Sequence, residues 1–240
     1  MSLENFLANL EGNKRSGFQI TEHRYIHPLQ PSHRKLDLDG KISDVLKGLG
    51  IARFWSHQAE AIDLIRQGEN VVIMTPTASG KSLIYNIPVI ESIIDTPDTK
   101  ALYIFPLKGL EQDQAINLNR LFSAVGHDLS TAKPSRIRLM PAEVYDGDTT
   151  PYRREKIRNH LPNVIFTNPD MLHLAINQFH SKWEGFFKNL KYILIDEIHT
   201  YRGVFGSNVA HVLRRLRRIC GYYDSNPQFI ACSATIANPK

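Results

Sequence analysis

Six short apolar runs recur along the chain, VVIM (71–74), ALYIF (101–105), IRLM (137–140), NVIF (163–166), YILI (192–195) and QFIA (228–231), with helix-length stretches between them. Runs that are apolar on both faces need cover on both faces, so they predict an α/β fold, a mainly parallel sheet with helices on each side. Residues 80–94, 111–122 and 208–219 have the spacing of crossover helices. Two further helices are expected ahead of the first run. One carries Ile42, Val45, Leu46 and Leu49 at helical spacing, and the other covers HQAEAIDLIRQ and closes at Gly68. Sheets of this kind bind ligands beyond the carboxyl ends of their strands, which is where the polar signatures of this chain fall.

The 240 residues suffice for one substantial core with an appendage, at roughly 100–200 residues per domain. Residues 1–40 are expected to be an N-terminal extension: a short helix with Leu3, Phe6, Leu7 and Leu10 on one side, then IHPLQPSHRKL without a sustained period. Residues 41–240 form the main domain. No run approaches the ~20 apolar residues that span a bilayer. The start, MSLENFLANLEGNKR, lacks the continuous apolar stretch of a signal peptide. A soluble, intracellular, cytoplasmic protein without a membrane partner is expected. Cys220 and Cys232 are too few for a disulfide framework or a four-thiolate zinc site, and read as reduced thiols near the core. The formal charge of +5 leans toward a polyanionic partner.

The loop TPTASGKS (75–82) follows the first apolar run directly. It fits the phosphate-binding loop in its G-K-S half and carries Thr75 where that pattern has Gly. Small residues at Thr77, Ala78, Ser79 and Gly80 let consecutive backbone N–H groups curl around phosphate oxygens, and the following helix points its positive end at them. Lys81 is expected to reach the β- and γ-phosphates of ATP, with the Ser82 hydroxyl in the shell of a Mg²⁺ ion. YILIDEIH (192–199) delivers two carboxylates to the same sheet edge. Asp196 would hold the metal, partly through water, and Glu197 would orient the attacking water. QFIACSATI (228–236) brings Ser233 and Thr235 to a third strand end.

TASGKS, DEIH and SAT, in this order, resemble motifs I, II and III of superfamily 2 helicases of the DEAD/DEAH type, here as a DEIH variant. FWSHQAEAI is similar to the adenine-recognising glutamine motif of that superfamily, which assigns adenine to Gln58. FPLKGLEQDQ (105–114) and TNPDML (167–172) resemble motifs Ia and Ib, which implies contacts from Lys108, Gln112, Thr167 and Asn168 to the phosphates of one strand. His199, by the same resemblance, links the nucleotide site to Ser233 and Thr235. The wording DEIHTYRGVFGSNVAHVLRRLRRIC followed by NPQFIACSATIANP is similar to the MrfA/YprA and Hrq-like DNA-repair helicases. The likeness runs over residues 56–238 and leaves the first 40 or so without a counterpart.

The resemblance implies a RecA-like P-loop NTPase domain, the first motor lobe of an ATP-dependent DNA helicase or translocase that moves 3′ to 5′ on single-stranded or tailed DNA. A second RecA-like lobe, which would supply the transition-state arginines, has no motif in this chain, so the catalytic site is expected to be incomplete and poorly active alone. RNA is not excluded as the partner, because backbone contacts read phosphates and only the 2′-OH separates the two polymers. A non-catalytic nucleic-acid-binding scaffold is the third alternative. YDGDT (145–149) with Arg153 and Arg154 either adds to the strand track or is an acidic turn before a solvated helix. Phe54 and Trp55 are expected in the core. So are Val209, Val212, Leu213, Leu216 and Cys220, which leaves Arg214, Arg215, Arg217 and Arg218 facing outward.

Overall fold

The structure, a computed structural model, describes residues 3–12, 32–76, 79–132 and 142–234. It divides into two units, Met1–Ser32 and His33–Lys240. In the first, helix α1 spans Leu3–Gly12, as its apolar spacing predicts.

The second unit begins with β1 (His33–Arg34), and Leu36 just beyond it enters the core, so residues 33–40 of the expected extension pack within this unit. Helix α2 (Gly40–Gly48) is capped by Asp39, whose side chain accepts the Lys41 N–H, and buries Ile42 and Leu46. Strand β2 (Phe54–Trp55) pairs antiparallel with β1. It leads into α3 (Ser56–Arg66), which buries Ala59, Ile62 and Ile65.

From there strands and helices alternate. Strand β3 (Val71–Met74) is followed by α4 (Lys81–Asp95), β4 (Lys100–Ile104) by α5 (Lys108–Ala132), and β5 (Glu143–Val144) by α6 (Pro151–Asn159). Strand β6 (Val164–Thr167) leads into the short α7 (Pro169–Met171), whose chain winds on as a π-turn over Leu172–Asn177 and reaches α8 (Glu184–Lys188). Strand β7 (Leu190–Ile195), α9 (Gly203–Tyr222) and β8 (Gln228–Ser233) complete the unit. The run IRLM (137–140) lies outside the described residues.

The six strands β3 to β8 form one sheet in the order β3-β8-β7-β4-β6-β5, every neighbouring pair parallel. Register levels their carboxyl ends: Met74 lies opposite Ser233, and Ile104 lies opposite both Ile195 and Thr167. Alternation along β4 sends Tyr103 into the core beneath α2, α3, α4 and α5, and sends Leu102 and Ile104 into the core beneath α6, α8 and α9. Each enclosed large apolar side chain contributes about 1.5–3 kcal/mol relative to exposure, so central strands buried on both faces hold this sheet together. Strand β3 departs from that pattern. It lies at the sheet edge, with Val71 and Ile73 in the core and Val72 and Met74 exposed on the opposite face. Cys220 and Cys232 are buried free thiols, as expected. Among the described residues no helix is long and apolar enough to cross a membrane.

Candidate functional site

Beyond Met74 the chain leaves the sheet edge with the Thr75 N–H donating to the Ser233 carbonyl at 3.3 Å. Thr75 occupies the glycine position of the loop pattern, and its hydroxyl lies 2.6 Å from that of Ser79, tying the two ends of the loop together. The Lys81 ammonium folds back to donate to the Thr75 carbonyl at 3.3 Å. Gly80 turns the loop into α4 in the left-handed region, at φ 75°. A Cβ there would also displace the Gln58 amide, so a substitution would disturb that side chain's hold on the loop. Ser82 follows Lys81 in the first turn of α4, while Thr77 and Ala78 lie outside the described residues.

Gln58 is buried, and its side chain is fully engaged within the protein. Its Nε2 donates to the Ser79 and Gly80 carbonyls at 3.2 and 3.3 Å, and its Oε1 accepts the Trp55 N–H at 3.0 Å. In this arrangement it holds the end of the 75–82 loop. The neighbouring rings divide: Phe54 is in the core as expected, whereas Trp55 is 41% exposed and stacks on His33 with ring centroids 4.7 Å apart. The core expectation for Trp55 is therefore corrected, because the β1–β2 ribbon places alternate residues on opposite faces.

Two strands away from the loop, Asp196 sits at the end of β7. Its N–H donates to the Ile104 carbonyl at 2.9 Å, and its Oδ1 accepts the Glu197 N–H at 2.9 Å. Burial pushes its carboxyl above the ordinary aspartate range. The Glu197 N–H works against that, the Glu197 charge adds to it, and the nearby Lys81 and His199 oppose it. Glu197 adopts a left-handed backbone at φ 47°, an uncommon state for a non-glycine residue and one that clusters at active sites. His199 Nδ1 lies 3.2 Å from Glu197 Oε2, at ion-pair distance without hydrogen-bond alignment, and 3.3 Å from the Ser233 hydroxyl. Ser233 is wholly buried at the end of β8, and Thr235 lies outside the described residues.

The strand ends of β4, β6 and β5 form the other half of the edge. Lys108, in the first turn of α5, reaches across to Asp148 at 2.9 Å, and that carboxylate's hydrogen bond raises its pKa. Gln112 is exposed one turn further on. Thr167 is enclosed, and its hydroxyl donates to the Tyr145 carbonyl at 2.8 Å. Its side chain is thus turned inward, which leaves the backbone of this strand end to face outward. Asn168 caps α7, its Oδ1 accepting the Met171 N–H at 3.0 Å. YDGDT is a self-bonded turn in which Asp146 Oδ1 accepts the N–H groups of Asp148 and Thr149 at 3.0 and 2.9 Å. Arg154 donates to the Asp146 and Gly147 carbonyls and Arg153 pairs with Glu143 at 2.8 Å, so both are tied within the protein.

Two residues of this neighbourhood carry no sequence signal of their own. Glu111 is wholly buried in the first turn of α5, and neither carboxylate oxygen makes a well-formed hydrogen bond among the described residues. Burial pushes its carboxyl up to about 7, against the pull of the Asn168 amide, with the Asp146 charge adding to the rise. The Tyr201 hydroxyl is likewise buried without a partner among the described residues, and its pKa is raised by burial and by the charges of Asp196 and Glu111. Tyr201 thus lies between the two halves of the edge.

A family model described as DEAD/DEAH box helicase matches residues 55–240. The chain is 45% identical over 241 residues to the uncharacterized ATP-dependent helicase YprA of Bacillus subtilis, covering 100% of this chain and 30% of YprA. It is 44% identical over 198 residues to the ATP-dependent helicase HRQ1 of Saccharomyces cerevisiae, covering 82% of this chain and 18% of that one. Among solved structures, helicase MrfA bound to DNA and AMPPNP superposes with a TM-score of 0.88 at 44% identity, covering 100% of this chain and 32% of the other. The helicase Lhr of Mycobacterium smegmatis bound to ssDNA and AMP-PNP gives a TM-score of 0.71 at 26% identity, covering 82% of this chain and 25% of the other. The chain spans at most 32% of the length of these relatives.

Proposed function

Because this chain belongs to the DEAD/DEAH box helicase family, we propose that it is the ATP-binding lobe of an ATP-dependent DNA helicase or translocase acting in DNA repair. Its parallel sheet is that of a RecA-like helicase lobe. The observation that carries the reading is convergence: Lys81, Asp196, Glu197, His199 and Ser233 meet at the level ends of three adjacent strands, β3, β8 and β7. DNA is favoured because MrfA and Lhr, at 44% and 26% identity, hold DNA or ssDNA together with AMPPNP or AMP-PNP.

The residues fit a magnesium nucleotide. A hydroxyl and a buried carboxylate, Ser82 and Asp196, are hard oxygen donors of the kind Mg²⁺ takes. Bound there, the ion would neutralise charge on the β- and γ-phosphates. Lys81 leaves the Thr75 carbonyl for a stronger, charge-assisted bond to phosphate oxygen. Glu197 holds and polarises the attacking water, and its left-handed backbone fixes where that carboxylate points. Gln58 exchanges the Ser79 and Gly80 carbonyls for adenine, beside the exposed Trp55 ring. His199 passes the state of Glu197 to Ser233, and Thr235 is assigned to the same link. Lys108, Gln112 and the Asn168 strand end track one strand's phosphates, and movement runs 3′ to 5′. The first motor lobe, expected over residues 41–240, takes in residues 33–40 as well, and a second RecA-like lobe of the parent protein completes the site.

Steady-state ATP turnover with and without single-stranded DNA tests this, with Glu197→Gln as control and nucleotide binding measured on the same sample. Binding with near-zero turnover is expected of a lobe lacking its partner. DNA-stimulated turnover that Glu197→Gln abolishes would contradict the incomplete-site reading. An RNA oligonucleotide that outcompetes DNA of the same sequence would move the substrate class to RNA.

A further inference from the structure

A groove of about 1060 Å³ runs between Pro169, Asp170 and His173 on one wall and the outer face of α9 on the other. Val209 and Val212 form its floor, and Phe205, 46% exposed, stands at its upper end. The rim is basic. Arg214, Arg215, Arg217 and Arg218 all line it against a single acid, Asp170, and none of the four pairs with an acid or makes a hydrogen bond among the described residues. Arg214 and Arg218 are four residues apart on one helix, a spacing at which like charges repel. The cluster therefore costs stability unless an anion sits against it. A second hollow of about 470 Å³, lined by His180 and the exposed Tyr222, adjoins the first through Arg215 and Arg218.

We propose that this groove is a second nucleic-acid channel, which takes a single strand continuing past the Asn168–Pro169 strand end, phosphates on the arginines and bases against Phe205, His173 and Tyr222. The proposal rests on the nucleic-acid reading above and extends it from the TNPDML segment, whose Pro169 and Asp170 form one wall, onto the outer face of α9. Continuity favours a strand over an acidic protein helix, because the groove opens at Pro169, next to Asn168 at the carboxyl end of β6. Chemistry favours it as well. The exposed rings Phe205 and Tyr222 flank the guanidinium cluster along α9, and a strand bound without base specificity uses both, its bases stacking on rings and its phosphates meeting cations. Helix α9, at 20 residues, is about 30 Å long, enough for a strand to follow over several nucleotides.

The test is fluorescence anisotropy with labelled oligo-dT of about 6 and about 20 nucleotides, titrated with the wild type, Arg214→Ala/Arg217→Ala and Lys108→Ala at several salt concentrations. Single-strand binding loses about 0.7 in log–log salt slope per phosphate contact removed. The double variant should therefore lower the slope for the long oligonucleotide by about 1.4 and lose roughly tenfold in affinity at physiological salt. It should bind the short oligonucleotide like the wild type. Unchanged Mg·ADP binding shows that the variant is folded, and Arg217→Gln, which keeps most of the side chain, should lose about half as much slope. If the double variant binds the long oligonucleotide as tightly as the wild type while Lys108→Ala weakens both lengths, the channel is overturned. A wild type that binds neither length overturns the nucleic-acid reading itself.

Discussion

At the β3–β8–β7 half of the sheet edge polar side chains face one another, Lys81 toward the loop, Asp196 beside Glu197, His199 against Ser233. At the β4–β6–β5 half they face inward or are paired: Thr167 holds Tyr145, Asn168 caps α7, and Lys108 is held by Asp148. The strands are the same kind and their ends are level, so on the function proposed above the difference lies in the task. Chemistry on a phosphate needs side chains aimed at one point. Following a strand without reading its bases needs only backbone groups and cations along a surface, which leaves side chains there free to hold the fold.

The largest test of that contrast pairs two glycines. Gly80→Ala puts a Cβ in the left-handed region and against Gln58, which should cost roughly 2–4 kcal/mol in urea unfolding and disturb nucleotide binding. Gly109→Ala, where a Cβ meets nothing within 4 Å at the start of α5, should stabilise by about 0.5–1 kcal/mol. Equal effects at the two sites would erase the distinction between a pre-shaped half and an open one.

Glu111 gives the next effect, and it depends on pH. Its carboxyl binds protons more tightly folded than unfolded, with a pKa raised from 4.5 to about 7. Its contribution is therefore complete below pH 4.5 and lost as pH rises through about 7. Glu111→Gln should stabilise the protein by roughly 1–3 kcal/mol at pH 8.5 and by almost nothing at pH 4. A stability difference that stays constant across that range would show that Glu111 does not titrate as an isolated buried acid. Thr167→Val should cost about 1–2 kcal/mol by leaving the Tyr145 carbonyl unpaired, with oligonucleotide affinity unchanged. Weakened DNA binding in a stably folded Thr167→Val would place that side chain itself on the strand track. Smallest of all, Lys108→Ala should leave the unfolding midpoint in place and weaken oligo-dT binding only several-fold, one phosphate contact's worth.

The same division explains what could be read from the chain alone. Runs VVIM, ALYIF, NVIF, YILI and QFIA fall on observed strands, because parallel strands read as continuous apolar sequence. Strand β5 was not visible, being two residues at the sheet edge, and α6, PYRREKIRN, buries only Ile157 and gives no periodic signal. The loop, the acidic strand end and Ser233 were legible from short contiguous motifs, since each function needs neighbouring residues. Gln58 on the loop carbonyls, Thr75 on Ser79, the stacking of Trp55 on His33 and the burial of Glu111 are consequences of packing. No spacing rule within a segment announces them.

Calorimetric titration of Mg·ADP into the wild type and Lys81→Ala tests the nucleotide site most directly. Binding by the wild type is expected, with at least a roughly tenfold loss in the variant, the worth of a charge-assisted hydrogen bond to phosphate. Equal affinity in the two proteins would contradict the assignment of TPTASGKS as the phosphate grip.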